Sequence, residues 1–325
     1  MRQINWGVLG TAGIAEKQTI PGMLQASNCR LYAIAGRSMA KAEDFRARFG
    51  FEKAYGSYAE LLDDPQVEAV YIPLPHGMHH EWTLKALRAK KHVLCEKPIG
   101  VNEQEVREMI AAAEENGVCL MEAFAYLHSP LITEIKGLID ADVIGRPVYI
   151  ESEFVGSVPD DANFRATRAG YGGSVYDIGC YPTSLALWIF GQEPDVVQAM
   201  TRFSHDGIDA YTSMLLGFPG GGCASLQCGM VLAPIAGSRI DRFRIHGTKG
   251  SIACDEFFNA EGMLRYTLCT DGVERICTVH APQNYRLEVE QLGRCITDGE
   301  TLHVSHAFTL MNARLLDRVL SAIHY

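Results

Sequence analysis

No apolar run in this chain of 325 residues reaches the ~18–20 that a membrane-crossing helix needs. The opening residues, MRQINWGVLG, carry no signal-like apolar core and pass directly into a strand-like stretch, so a cytoplasmic protein is expected. Positive charge is in short supply: 29 Lys and Arg stand against 39 Asp and Glu, a formal net charge of −10. That balance argues against binding a phosphate backbone as the main activity, while leaving room for a local basic pocket for one small anion. Paired cysteines are missing too. Ten cysteines are scattered without a CxxC pair, and the nearest neighbours, Cys223 and Cys228, have no histidine at ligand spacing. Reduced, mostly buried thiols and no metal site are the reading. No internal repeat and no low-complexity spacer is found.

What is present describes an ordinary globular protein: 47% hydrophobic and 21% charged residues, in a chain long enough for two cores. The first part alternates two textures. Ile4–Gly10, Arg30–Gly36, Ala69–Pro75, His92–Pro98 and Val118–Phe124 are short apolar runs, suited to strands covered on both faces. Helical patterns lie between them. One of these opens at Asn102, with Glu105 placed for a capping box, and stops at Gly117. This alternation predicts an α/β fold with an N-terminal doubly wound parallel sheet over residues 1–122. Longer strand-like runs follow at 147–156, 195–203, 210–218, 223–232 and 242–247, separated by Gly, Asp and Pro turns. They predict a C-terminal α+β domain, 123–325, with a large, mostly antiparallel sheet. An amphipathic stretch from His306 closes the chain.

Gly7–Ala15, GVLGTAGIA, follows the first strand and opens a helix. Backbone amides at a helix start face a pyrophosphate, and small residues let it come near. Gly10 takes the first glycine position, while Ala12 and Ala15 stand where further glycines would be. Thr11 and Ile14 belong to the same turn. A NAD site usually ends its second strand on an acid that holds the ribose 2′-OH. Here that strand ends Ala35-Gly36-Arg37-Ser38. Arg37 suits a 2′-phosphate and the adenine face, and Ser38 suits a donor to the same phosphate, so NADP is favoured over NAD.

Three motifs taken together carry a family resemblance: this glycine turn, the Glu96-Lys97-Pro98 strand end, and Asp177-Ile178-Gly179-Cys180-Tyr181. The chain resembles the glucose–fructose oxidoreductase and inositol dehydrogenase family (Gfo/Idh/MocA) over essentially its whole length. GTAGIA, and Tyr181 where inositol dehydrogenases carry His, look like the branch of dimeric dihydrodiol dehydrogenases and NADP-dependent D-xylose dehydrogenases. The resemblance implies an oxidoreductase moving hydride between a nicotinamide and a C–OH or C=O carbon of a sugar, cyclic polyol or related carbonyl. A dihydrodiol dehydrogenase or dicarbonyl reductase, and a non-catalytic NADP-binding sensor, stand as alternatives.

Without a metal, such chemistry needs a side chain to handle one proton. A phenol is a poor base at neutral pH, and a nearby ammonium pulls its pKa down. Lys97 and Tyr181 form such a pair, and the resemblance puts both at the nicotinamide end of the cofactor. It implies that Asp177 binds a substrate hydroxyl or orients the pair, N-capping being the alternative. It also implies that Pro73, Leu74, His76, His79, Glu96 and Arg165 line the cofactor. Glu96 would accept from a cofactor hydroxyl or fix the loop; His79 is equally a helix-start residue. Tyr126 and Phe154 are substrate candidates. Ala125 and Leu127 depart from the larger or charged residues many relatives carry there. The long strands would leave one sheet face uncovered, and in relatives that face joins subunits, so a homodimer or homotetramer is expected.

Overall fold

The computed structural model describes residues 2–159, 163–233, 235 and 238–325. The chain forms two compact units. One gathers Met1–Gly100, Gln104–His128 and Pro282–Thr309; the other gathers Val101–Glu103, Ser129–Ala281 and Leu310–Tyr325.

The first unit is built on β1 (Ile4–Leu9), α1 (Ile20–Gln25), β2 (Cys29–Ala35), α2 (Met39–Phe49), β3 (Lys53–Tyr55), α3 (Tyr58–Asp63), β4 (Ala69–Ile72), α4 (His79–Arg88), β5 (His92–Glu96), α5 (Glu103–Asn116) and β6 (Leu120–Ala123). The strands lie in the order β3-β2-β1-β4-β5-β6 and every pairing is parallel. The expected doubly wound sheet is therefore present. Its strand order reverses between β1 and β4, and in open sheets of this kind ligands bind outside the C-terminal strand ends at such a point. β4 is buried throughout and β5 nearly so, as strands covered on both faces must be. The short β3 was not expected; Lys53-Ala54-Tyr55 has too few apolar residues to read as a strand.

The second unit holds α6 (Pro130–Asp140), β7 (Pro147–Ser157), α7 (Cys180–Phe190), β8 (Val196–Phe203), β9 (Asp209–Phe218), β10 (Gly222–Leu232), β11 (Ile240–Gly247), β12 (Gly250–Cys254), β13 (Gly262–Thr270) and β14 (Val273–Ala281). These eight strands run in the order β14-β13-β12-β11-β7-β10-β9-β8. All neighbours are antiparallel except β7 and β10, which are parallel. Burial alternates along β9 and β11, as in a sheet with one covered face. α6 and α7 pack on that covered face. α7 reads CYPTSLALWIF, apolar nearly all round, and nine of its eleven residues are buried.

α8 (Asn284–Asp298) follows β14, and α9 (His306–Ala322) ends the fold. The sequence reading kept 282–309 with the second domain, but these residues belong to the first unit. α8 packs on α1 and β2 and reaches β5, because it is buried on more than one face: Tyr285, Glu288, Val289 and Leu292 all lie inside. Asn28 donates to the backbone oxygen of Glu290 at 2.8 Å, pinning the helix to the start of β2. Among the described residues, no helix is long and apolar enough to cross a membrane.

Candidate active site

In the first unit, β1 ends on Gly10 with φ of +122°, a left-handed conformation that disfavours any side chain. A Cβ there would lie 3.1 Å from Leu74 Cδ2 and 3.7 Å from the Tyr58 hydroxyl. The Gly10 amide donates to Ala35 O at 2.8 Å, which draws the turn against the end of β2. The helix opens just beyond, where Glu16 N donates to Ala12 O at 3.0 Å. Amides of a first turn have no acceptor within the helix. Thr11, Ala12 and Ile14 are half-buried, Gly13 is exposed, and a Cβ on Gly13 would meet nothing within 4 Å. Unused donors, small side chains and open space suit a pyrophosphate. Arg37 and Ser38 are exposed at the end of β2, and the Ser38 hydroxyl does not cap α2. The charge of Arg37 reaches Tyr58, whose phenol burial pushes up in pKa and Arg37 pulls down. Sequence reasoning missed Tyr58, since it reads as the ordinary start of α3.

β5 delivers Glu96 and Lys97 to the C-terminal edge of the sheet. Glu96 is buried and accepts from the Tyr71 hydroxyl at 2.5 Å; Tyr71 in turn accepts from Thr19 at 2.8 Å. Of the two roles expected for Glu96, this contact is the loop-fixing one. Lys97 is half-buried, and the Lys97–Pro98 bond is cis. Pro98 O lies 2.8 Å from His79 Nδ1, and Leu74 O lies 2.7 Å from His79 Nε2. His79 is fully buried, and burial is the main cause that pushes its pKa down to about 4, with the Lys97 charge adding to the fall. A neutral imidazole has one N–H, so His79 donates to one of these two carbonyl oxygens and sits between the Lys97 loop and the end of β4. Pro73, Leu74 and His76 are buried on the same segment.

Glu122, on β6, was not anticipated. Its carboxyl is buried and accepts from Ile99 N at 3.1 Å, so it holds the residue after Pro98. Burial pushes its pKa up to about 7, against the pull of the Ile99 amide, the Thr309 hydroxyl and the Lys97 charge. In sequence it sits within an apolar run, where nothing marks it. Tyr126 is fully buried, as are Ala125 and Leu127, because this turn packs against α8. A substrate contact by Tyr126 is therefore not supported; its ring meets Phe124 edge-on at 6.1 Å.

In the second unit, a wide helical turn over Val175–Gly179 leads into α7 and carries Asp177. Asp177 and Tyr181 are each 8% exposed. Arg165 Nε donates to Asp177 Oδ1 at 2.7 Å, and the guanidinium lies 4.6 Å from the centre of the Phe164 ring. The expected cofactor contact of Arg165 is thus spent, at this nitrogen, on the Asp177 carboxylate. The start of the turn is held by Asp209, whose Oδ2 accepts from Ser174 Oγ and Val175 N, both at 2.7 Å. Gly173, with φ of +98°, admits this: a Cβ there would fall 1.9 Å from Asp209 Oδ1. Burial pushes the Asp209 pKa up to about 6.

The Tyr181 ring packs 5.2 Å from Phe154 and 5.3 Å from Phe258, between centroids. Asn259 Nδ2 lies 3.2 Å from the Tyr181 hydroxyl oxygen. Arg239 sits over Phe154 at 4.4 Å, and its Nε donates to Asp241 Oδ1 at 2.7 Å. The candidate substrate residues Phe154, Asp177 and Tyr181 thus share one unit and one neighbourhood. Phe258, Asn259 and Arg239 were missed; the FFN doublet and amide in an irregular segment were the only signal.

A parallel sheet with a glycine turn suited to phosphate is joined in one chain to an eight-stranded sheet whose packed helix and its leading turn carry a tyrosine and an aspartate, the arrangement of a dinucleotide-fold oxidoreductase. Residues 4–124 match the family model described as an oxidoreductase family with an NAD-binding Rossmann fold, and residues 132–253 match the GFO/IDH/MocA C-terminal domain. The chain belongs to the Gfo/Idh/MocA oxidoreductase family. It is 36% identical to the D-xylose 1-dehydrogenase (NADP(+)) 2 of Haloferax volcanii, over 97% of this chain and 95% of that one. A trans-1,2-dihydrobenzene-1,2-diol dehydrogenase of Danio rerio is 31% identical over 97% and 95% of the two chains. A 3-ketoreductase of Actinomadura kijaniata, solved with NADP and TDP-benzene, superposes with a TM-score of 0.92 at 28% identity, covering 99% of this chain and 98% of that one.

Proposed function

We propose that this protein is an NADP-dependent oxidoreductase acting on a C–OH or C=O carbon of a sugar, cyclic polyol or related carbonyl. One observation carries the reading: the first unit presents Lys97 at the C-terminal edge of a parallel sheet whose first strand ends in a glycine turn, where a Cβ on Gly13 would meet nothing within 4 Å. Gly10, Thr11, Ala12 and Ile14 would hold the pyrophosphate, and Arg37 and Ser38 the 2′-phosphate. The relatives named with NADP support that choice. When bound, the dinucleotide supplies the hydride chemistry. Tyr181 handles the proton: as phenolate it takes the proton of a substrate hydroxyl on oxidation, and as phenol it returns one to the carbonyl oxygen on reduction. The Lys97 ammonium favours the phenolate and hydrogen-bonds the reacting oxygen. Asp177, held by Arg165, accepts from a second substrate hydroxyl.

In this reading the first unit, with 282–309, binds NADP, and the second binds substrate and carries the oligomer contact, in a homodimer or homotetramer through the open sheet face. The flat aromatic walls of Phe154 and Phe258 beside Tyr181 also favour a ring-bearing diol, the substrate named for one set of relatives. The test is turnover. With NADP(H), a panel of aldoses, polyols, trans-diols and dicarbonyls should change the absorbance of the reduced nicotinamide, and Lys97→Met and Tyr181→Phe should each cut kcat by ~10²-fold or more. Tight cofactor binding with no turnover across the panel leaves the sensor reading in its place.

A further inference from the structure

Asn259 stands in the irregular segment between β12 and β13, a place that carries no sequence motif. Its side-chain nitrogen is nevertheless 3.2 Å from the one oxygen on which the proton chemistry proposed above turns, the Tyr181 hydroxyl. The segment is anchored by the residue before Asn259. The preceding residue, Phe258, is 6% exposed and packs on both Tyr181 and Phe154. Its backbone amide donates to Asp241 Oδ2 at 3.1 Å. Asp241 is itself buried and paired with Arg239, which lies over Phe154 and, at 4.7 Å, over Phe257. Arg239, Asp241 and Phe258 thus fix the backbone from which Asn259 reaches Tyr181.

An amide nitrogen can only donate. Directed at the phenolic oxygen, it takes up one acceptor position. A donor held on an oxygen that becomes negative stabilises the charged form, the more so where water is kept out. Asn is uncharged at every working pH, so it does not compete for the proton. The charged groups around Tyr181 are closed as pairs: Asp177 with Arg165, and Asp241 with Arg239. Asp209 and Cys228 lie at the start of the same helical stretch.

We propose that Asn259 is a further catalytic residue, whose side-chain amide holds the Tyr181 oxygen and stabilises the phenolate formed when the proton leaves. This rests on Tyr181 being the acid–base group. On oxidation the substrate O–H bond breaks and the Tyr181 O–H bond forms, with the Asn259 donor bond present before and after. No proton passes through Asn259.

The test compares Asn259→Leu, which removes the donor at similar volume, with Asn259→Asp, which replaces it by an acceptor of the same shape. Ultraviolet difference titration of tyrosinate, wild type against Tyr181→Phe, locates the Tyr181 ionisation without any substrate. It should move to higher pH in the Leu variant and further still in the Asp variant. On the substrate panel, kcat should fall ~10- to 100-fold for Asn259→Leu. The NADP dissociation constant, read by fluorescence quenching, should stay within about twofold of wild type. Asn259→Leu in a Tyr181→Phe background should cost nothing further, whereas a purely structural role would still add its loss. If Asn259→Leu unfolds, the isosteric Asp variant carries the measurement alone. An unmoved tyrosinate titration overturns the proposal for Asn259. Near-normal turnover by Tyr181→Phe overturns the acid–base reading beneath it, a result the titration alone does not give.

Discussion

The Nε of Arg165 donates to Oδ1 of Asp177 at 2.7 Å, tying a short loop to the helical turn that precedes Tyr181. The pairing is local to the second unit, and the partners are unequal: the Arg165 side chain is 35% exposed and that of Asp177 11%. A mostly buried carboxylate therefore leans on a half-open cation, whose backbone amide is in turn held by Asn163 Oδ1 at 3.1 Å. Removing the cation leaves the acid short of a partner, which costs more than the pair itself contributes. Arg165→Met should lower kcat/KM about 10- to 100-fold, with a stability loss of about 1–2 kcal/mol after allowance for the exposure of the arginine. Asp177→Asn should keep the melting temperature within a few degrees and raise KM for the substrate. A thermal melt and a Michaelis series on both variants check this. Unchanged KM in Asp177→Asn would remove the aspartate from substrate binding.

The proposed role of Arg37 in cofactor choice has a direct test. The residue is exposed at the end of β2, beside a glycine turn rather than an acid. A guanidinium facing a 2′-phosphate contributes roughly 1.5–3 kcal/mol as a charge-assisted hydrogen bond. Arg37→Ala should raise KM for NADP at least ~10-fold and leave KM for NAD within about twofold. The ratio of the two kcat/KM values reads the outcome. Equal effects on both cofactors would make Arg37 an ordinary surface residue.

Much of this was legible in the sequence, for physical reasons that can be named. Strands β1, β2, β4, β5 and β6 announce themselves because both of their faces are covered, so nearly every residue is apolar. β13 and β14 did not. Their exposed residues Arg265, Glu274 and Arg275 interrupt the apolar pattern, since one face of that sheet is open. Lys97, Asp177 and Tyr181 stand out in the sequence because motif spacing marks them. Glu122, Asp209 and Asn259 do not, because what makes them matter is burial and a partner distant in sequence. His79 and Tyr126 show the same cause in reverse: motif spacing marks a place in the fold and is silent on burial, and both side chains are fully buried.

The uncovered face of the eight-stranded sheet carries an expectation of its own. Leu215 and Ile276 are 57% and 76% exposed, and Met200 is 74% exposed on the edge strand β8. Between them lie Glu153 and Arg242, ion-paired across β7 and β11, and a depression lined by Tyr149, Glu151, Gln227 and Arg244. Exposed apolar side chains with paired charges between them suit a self-complementary interface. Multi-angle light scattering at micromolar concentration should return a dimer or tetramer mass. Leu215→Asp should shift that mass toward the monomer, because a charge would then face its own copy without a partner. A monomer from the wild-type protein would reject the interface.

The buried carboxyl of Glu122 makes stability depend on pH in a stated direction. Its folded pKa is raised above the usual carboxylate range to about 7, chiefly by burial. A raised folded pKa means that the native state binds the proton more tightly than the unfolded chain does. The contribution of this group is then fully present below the unfolded pKa and is lost as pH rises through about 7. The Lys97 charge works against that loss, so Lys97→Met should push the Glu122 pKa higher still. Glu122→Gln keeps an acceptor for the Ile99 amide and cannot ionise. The variant should therefore lose less stability than the wild type between about pH 5 and pH 8, the remaining loss including that of the buried Asp209 carboxyl. Differential scanning calorimetry at matched ionic strength reads both curves. Parallel curves would mean that Glu122 is not the group that titrates, and that the ammonium at Lys97 has no protonatable carboxyl beside it in that window.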